Sequence, residues 1–132
     1  MTAYVFNLSE EQVPVTDFVT PPAGYHVFSP FTHNVDLNNP RDLAREMRQD
    51  LDEIPLLGVD DTFWIVLDPT PMRIGLAFMV IYAMRERGRD CLLWVVYGGR
   101  GHNVNLAYFM SEGYDYAMSF RYKEISEKQV TG

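Results

Sequence analysis

The sequence predicts a single three-layer α/β domain spanning residues 1–132, with a mainly parallel sheet of about five strands and about three helices. Three observations predict it. Thr62 to Asp68 is a short run rich in aromatic and β-branched residues and apolar on both faces, as in a strand covered from each side. Met72 to Met84 is a long apolar segment entered through Thr70-Pro71 and left through Gly88, which are helix start and stop signals. Cys91 to Tyr97 is a second apolar run. A strand, an all-round apolar helix and a strand in succession form most simply a right-handed parallel crossover whose helix is covered by protein.

The remaining elements follow from the same rules. Tyr4 to Leu8 is an apolar strand, and Ser9-Glu10-Glu11 turns the chain away. Gln12 to Gly24 carries Pro14, Pro21 and Pro22, which disfavour helix and predict a connecting loop or edge segment. Tyr25 to Phe28 is a second strand ending at Ser29-Pro30. Phe31 to Asn39 is polar and lies between a strand and a helix, where ligand loops gather. Asn39-Pro40 opens a helix that places Leu43, Met47, Leu51 and Ile54 on one face and charged residues, including Asp50, on the solvated face; Pro55 and Gly58 end it. Gly98 to Asn103 is too rich in glycine for regular structure, and Asn103 or Asn105 caps a short helix from Leu106 to Gly113. Tyr116 to Ile125 alternates from Met118 onward and predicts an exposed-face or edge strand, followed by a polar tail.

Composition narrows the function classes. Apolar residues make up 47% and aromatic residues 14% of the 132 positions, which argues for a packed core and against disorder. Eighteen acids against eleven bases give a formal charge of −7, so non-specific attraction to nucleic acid or to an anionic membrane is not expected. Cys91, the single cysteine, falls inside a buried strand and behaves there as a small core hydrophobe. The first residues carry neither the basic nor the apolar region of a secretion signal, and the Met72 to Met84 segment is too short to span a bilayer; a soluble cytoplasmic protein is expected.

In a parallel sheet, ligands collect beyond the carboxyl ends of the strands. Two such ends follow one another here. Asp68-Pro69-Thr70-Pro71-Met72-Arg73 offers a carboxylate, a hydroxyl, helix-start amides and a guanidinium, while Gly98 to Asn103 offers Gly99, Arg100, His102 and Asn103. A helix amino terminus favours anions, so phosphate is the natural guest. Ser29, at the end of the second strand, completes the set of expected ligand-binding residues: Ser29, Asp68, Thr70, Arg73, Gly99, Arg100, His102 and Asn103. His102 is the one candidate for acid–base work, because an imidazole exchanges protons near neutrality. There is no Walker loop, no dinucleotide fingerprint and no metal-ligand spacing among His26, His33 and His102, so neither a metal nor a cofactor is expected.

The order Asp-x-Thr-Pro-x-Arg at Asp68 to Arg73, at a strand-to-helix junction, resembles the second ligand motif of CARF domains, the CRISPR-associated Rossmann-fold sensors of cyclic oligoadenylates. The resemblance covers about a third of the chain. It implies a Rossmann-like sandwich, ribose-phosphate contacts from Thr70 and Arg73, a homodimer with the ligand across its two-fold axis and, for some members, metal-independent ring-nuclease activity in antiviral defence. Met72 stands where that motif usually has glycine, and Ile74 where it usually has lysine; Arg100 substitutes for the lysine only if its loop folds inward.

Three readings follow. The first is a domain binding a nucleotide or another phosphorylated ligand. The second is a small acidic interaction module, a regulator or inhibitor, with exposed aromatics such as Tyr114 and Tyr116. The third is a hydrolase pairing His102 with Asp68 or Asp36 and a bound water, which requires His102 to lie close to Asp68 or Thr70.

Overall fold

The computed structural model describes residues 2–9, 14–29, 39–54 and 58–112. Most of the Phe31 to Asn39 loop, including His33 and Asp36, the expected Tyr116 to Ile125 strand and Tyr114 lie outside these residues, as does Gly113. Five strands form one sheet: β1 (Ala3–Leu8), β2 (His26–Phe28), β3 (Thr62–Leu67), β4 (Leu92–Tyr97) and β5 (Arg100–Val104). Their order is β2-β1-β3-β4-β5, parallel throughout except for the β4–β5 hairpin. The helices are α1 (Pro40–Glu53), α2 (Pro71–Glu86) and α3, residues 106–112. The α/β class, the mainly parallel sheet and the three helices agree with the sequence.

Period-two alternation sorts the strand side chains onto two faces. On one face Phe6, Leu8, Phe63, Ile65, Leu67, Leu93, Val95 and Val104 meet the apolar stripe of α1, the inner side of α2 and Phe109 of α3. The opposite face carries Ala3, Val5, Trp64 and Val66 under Val15 and Val19, with Phe18, Trp94 and Val96 packed alongside. The third layer is therefore thin among the described residues: it is the segment around the 3-10 turn Val15–Asp17. The proline-rich stretch expected as a connector does this covering. Val15 and Val19 stand four apart, so one turn of tight helix drives both into the sheet.

The face assignments explain the strand order. The link from β1 to β2 runs over one face and moves the chain to one side of β1. The links through α1 and α2 run over the other face and move it the opposite way, so all three crossovers share one hand, as right-twisted strands require. β1 becomes an interior strand, second in the sheet, beside the point where the direction of winding reverses. Phe6 on this strand stacks on Phe28 (5.1 Å between centroids) and leans on Phe63 (5.2 Å).

Local signals behave mostly as expected. Asn39 caps α1 by accepting from the Arg41 amide (3.1 Å), and Asn105, not Asn103, caps α3 by accepting from the Tyr108 amide (2.9 Å). Leu43, Met47, Leu51 and Ile54 are all buried. α1 ends at Glu53, and the Arg87 guanidinium donates to the Leu51 carbonyl (3.0 Å), satisfying one of its last-turn acceptors. Gly88 stops α2 at φ 76°, a left-handed conformation suited to glycine. Asp50 departs from the expectation of a solvated face. It is only 5% exposed, because Met47, Asp50 and Ile54 form a second helical row beside the apolar stripe. Burial pushes the Cys91 thiol up to about 12, consistent with a core role.

The starts of β1 and β3 are tied through Asp61. Its carboxylate accepts from the Gly58 amide (2.7 Å) and the Thr2 amide (3.0 Å), and the Thr62 amide donates to the Thr2 carbonyl (2.9 Å). Donation from Gly58 first, and then from Thr2, holds this carboxyl below the ordinary aspartate range. A depressed carboxyl pKa stabilises the fold above the unfolded value, near 3.9, and that contribution disappears as pH falls through the folded value. Amide exchange followed by NMR should therefore show Thr2 and Gly58 losing protection below about pH 4, near that reference value. Asp61→Asn should weaken that protection already at neutral pH; equal protection factors in the two proteins would contradict the assignment.

Candidate functional site

The reversal of winding places the carboxyl ends of β1 and β3 side by side, the position where open α/β sheets hold ligands. The Asp68 amide donates to the Leu8 carbonyl (3.1 Å), which carries the ladder one step beyond β3. The chain then turns sharply. The Thr70 amide donates back to the Asp68 carbonyl (2.8 Å), buried Pro69 anchors the turn, and Pro71 begins α2, where its missing donor costs nothing. Thr70 holds the cap position in extended geometry (φ −108°, ψ 156°), yet its hydroxyl makes no capping hydrogen bond. The first-turn amides of α2 therefore face the crevice without a cap from Thr70, and the hydroxyl stands beside them.

Arg73 folds back over this turn. Its guanidinium lies 3.7 Å from the Asp68 carboxylate, with the two side chains 15% and 19% exposed. At that distance and degree of burial the pair is an ion pair at the mouth of the crevice, partly shielded from water. From β1 come Asn7 and Ser9, 5% and 1% exposed. The Asn7 side-chain oxygen accepts from both the Ser9 amide (3.1 Å) and the Ser9 hydroxyl. Sequence reasoning did not select these two. Their signal was a pair of polar residues closing an otherwise apolar strand on the ligand edge. Ser29 lies next to them, one step beyond the Phe6–Phe28 pairing and opposite Asn7.

The second expected loop is built differently. Only Gly98 and Gly99 form a turn, both at positive φ (60° and 76°), as a two-residue hairpin with the native strand twist demands. Arg100 through Val104 is an antiparallel strand, so the expectation of an irregular loop from Gly98 to Asn103 is corrected: pairing with β4 gives a polar segment regular structure. Gly99 and Arg100 remain at the carboxyl edge, with Arg100 exposed. His102 and Asn103 run back along β5 and point to opposite faces. The His102 ring packs on Tyr97 (5.4 Å between centroids), and its Nε2–H donates to the Tyr97 carbonyl (3.0 Å). In register His102 pairs with Val95 and Val95 with Leu67, so its backbone stands two strand spacings from the end of β3, about 10 Å. A hydrolytic pair of His102 with Asp68 is not assembled.

The carboxyl edge thus brings Asp68, Thr70 and Arg73 together at the start of α2, has Asn7, Ser9 and Ser29 at the neighbouring strand ends, leaves Gly99 and Arg100 one strand further on, and sets His102 and Asn103 aside. Among the described residues no cluster of histidine, cysteine or acidic side chains has the form of a metal site, and no helix is long and apolar enough to cross a membrane. Fold and crevice together define an α/β protein of the 2-1-3-4-5 strand order, with its polar edge at the switch point. Comparison with protein-family models, with curated proteins and with solved structures finds no match to the chain.

Proposed function

We propose that this domain binds a nucleotide or another phosphorylated ligand across the β1–β3 crevice, and that a cyclic oligoadenylate is the sharpest form of that ligand. The observation that carries the reading is the start of α2: a helix amino terminus at the switch point, uncapped by Thr70, with the Arg73 guanidinium folded beside it. Phosphate would be met by the first-turn amides and Arg73, and ribose hydroxyls by Thr70 and Ser29. Asp68 holds Arg73 in place and opposes the anion, so it sets orientation at some cost in affinity. No residue is assigned a catalytic role.

Thermal unfolding against nucleotides, with cyclic tetra- and hexa-adenylate among them, tests this. A ligand at a hundred times its dissociation constant stabilises a protein by about 2.7 kcal/mol, or roughly 8 to 15 °C in midpoint at this size. Arg73→Ala should abolish the shift while preserving the circular dichroism spectrum, and Asp68→Asn should tighten binding. Unchanged affinity in Arg73→Ala would place the site elsewhere.

The alternative of an acidic interaction module draws support from the exposed rings of Tyr82 (57%) and Tyr108 (55%) on a chain of net charge −7. Recovery of one stoichiometric partner without added nucleotide, together with no thermal shift from any nucleotide, would favour it.

A further inference from the structure

We propose that the groove between α1 and α2 is a docking site for an amphipathic helix of a partner protein. The docked helix runs antiparallel to both, with acidic side chains toward Arg41, Arg45 and Arg48 and a basic one toward Asp52 and Glu86. The inference goes beyond nucleotide binding and does not rest on it. Charge on α1 is sorted into two flanks. Arg41, Arg45 and Arg48 follow one another at spacings of four and three and form a row facing outward and toward α2, where Arg48 and Asp52 line the groove. Asp42, Glu46 and Glu53 fall on the opposite flank. The guanidinium groups of Arg41 and Arg48 have no hydrogen-bond or ion-pair partner among the described residues. Arg45 is 69% exposed and lies 3.7 Å from Asp42, an exposed pair that contributes little.

The groove is open, with a volume of about 430 Å³. Leu51, Met79 and Ala83 supply its apolar floor, and Tyr82, whose ring is fixed by stacking on Phe78 (6.3 Å between centroids), stands as a wall. α1 and α2 each return the chain between parallel strands, so they run parallel to one another. The arginine row therefore follows the earlier turns of the groove, and Asp52 and Glu86 stand together at its carboxyl-terminal end. Arg87 lies there too, but its guanidinium is engaged by the Leu51 carbonyl (3.0 Å). A groove basic along one part and acidic at its end is complemented by a helix of the opposite order. Antiparallel docking agrees with the helix dipole, because the carboxyl terminus of the docked helix then meets the arginines and its amino terminus meets the acids. An amphipathic helix laid into such a groove is a recurring mode of peptide recognition. The net charge of −7 opposes an acidic partner at long range, but that repulsion is screened beyond about 8 Å at physiological salt, so the local row decides.

Panning the full chain against random peptides of about 16 residues, roughly 24 Å as a helix and enough to span α1, reads the result. Enriched peptides are expected to carry a basic residue followed, toward the carboxyl end, by acids spaced three and four apart with apolar residues between them. Their binding, followed by fluorescence anisotropy, should weaken about tenfold or more with Arg45→Glu and with Ala83→Trp, because like charge or added bulk then faces the helix. Both variants should keep the wild-type circular dichroism spectrum. A peptide with lysine in place of the facing acid should regain binding to Arg45→Glu and lose it to the wild-type chain, a reversal that a folding defect does not produce. The proposal is overturned if no peptide binds below about 500 µM, the range of weak association, or if the enriched peptides lack the acids or ignore Arg45→Glu. It is also overturned if the groove takes another occupant. That occupant would be a second copy of the chain, seen in sedimentation as a dimer that Ala83→Trp dissolves, or a single-stranded oligonucleotide whose binding Arg45→Glu abolishes.

Discussion

Phe6→Ala is expected to destabilise the domain by about 3–5 kcal/mol, the usual cost of deleting a fully buried phenylalanine ring. That is a large share of the 5–15 kcal/mol by which domains are commonly stable. Phe6 has no exposed surface and fills the space between Phe28 and Phe63. Its loss leaves a cavity on an interior strand. It also removes the ring stack holding β2, a strand of only three residues paired, among the described residues, to β1 alone. Equilibrium unfolding in urea measures the effect, and exchange at the β2 amides should rise first. A loss below about 1 kcal/mol would mean that the site collapses around the smaller side chain or that the ring is not packed as described.

Gly101→Leu should produce the second large effect. A β-carbon at Gly101 would fall 2.7 Å from the Val19 Cγ1 and 2.9 Å from the Phe18 carbonyl oxygen, and the Gly101 amide donates to that same oxygen (2.9 Å). A methyl group alone costs about 1–3 kcal/mol by overpacking, and a leucine costs more because the backbone of the 14–19 segment must withdraw. Withdrawal uncovers the Trp64–Trp94 stack (5.3 Å), so tryptophan emission should shift to the red before global unfolding. Gly75→Ala is the internal control. It lies in a helix with open space around it, and replacing glycine there should stabilise the monomer by about 0.5–1 kcal/mol. Equal stability of Gly101→Leu and wild type would show that the segment is not seated on β5.

The contrast between these two glycines indicates how far the sequence could be read. Both stand as single letters among larger residues, and only three-dimensional neighbours tell a tight approach from an open notch. The β3–α2–β4 unit was plain because its signals are local: buried runs, Thr70-Pro71 and Gly88. β5 was not, because Arg-Gly-His-Asn-Val has no alternation of its own and becomes a strand by pairing with β4; the Gly98-Gly99 dipeptide before it was the available hairpin signal. In the crevice, residue types at Asp68, Thr70 and Arg73 were visible, and their convergence at the end of one strand followed from proximity in the chain. The ion pair, the lack of a cap from Thr70 on α2 and the Asn7–Ser9 contact depend on side-chain geometry that spacing does not encode. His102 shows the same limit, since a reactive type in a glycine-rich stretch turns out to secure its own hairpin.

The hydrogen bond from Gly101 to Phe18 joins the last described strand to the segment just after the first. Because β1 is an interior strand flanked by β2 and β3, both of its edges stay open during synthesis until those later strands are available. The cover of its second face cannot be fastened until β5 has also been made. Such long-range closure raises contact order and slows folding, since loop-closure entropy is lost well before the contacts that compensate it. On the ribosome, Ala3, Val5, Trp64 and Val66 would form a hydrophobic surface with its cover still untethered. A chain interrupted before Gly101 would keep its central strands yet lack the clasp, and would be a substrate for chaperones or proteases.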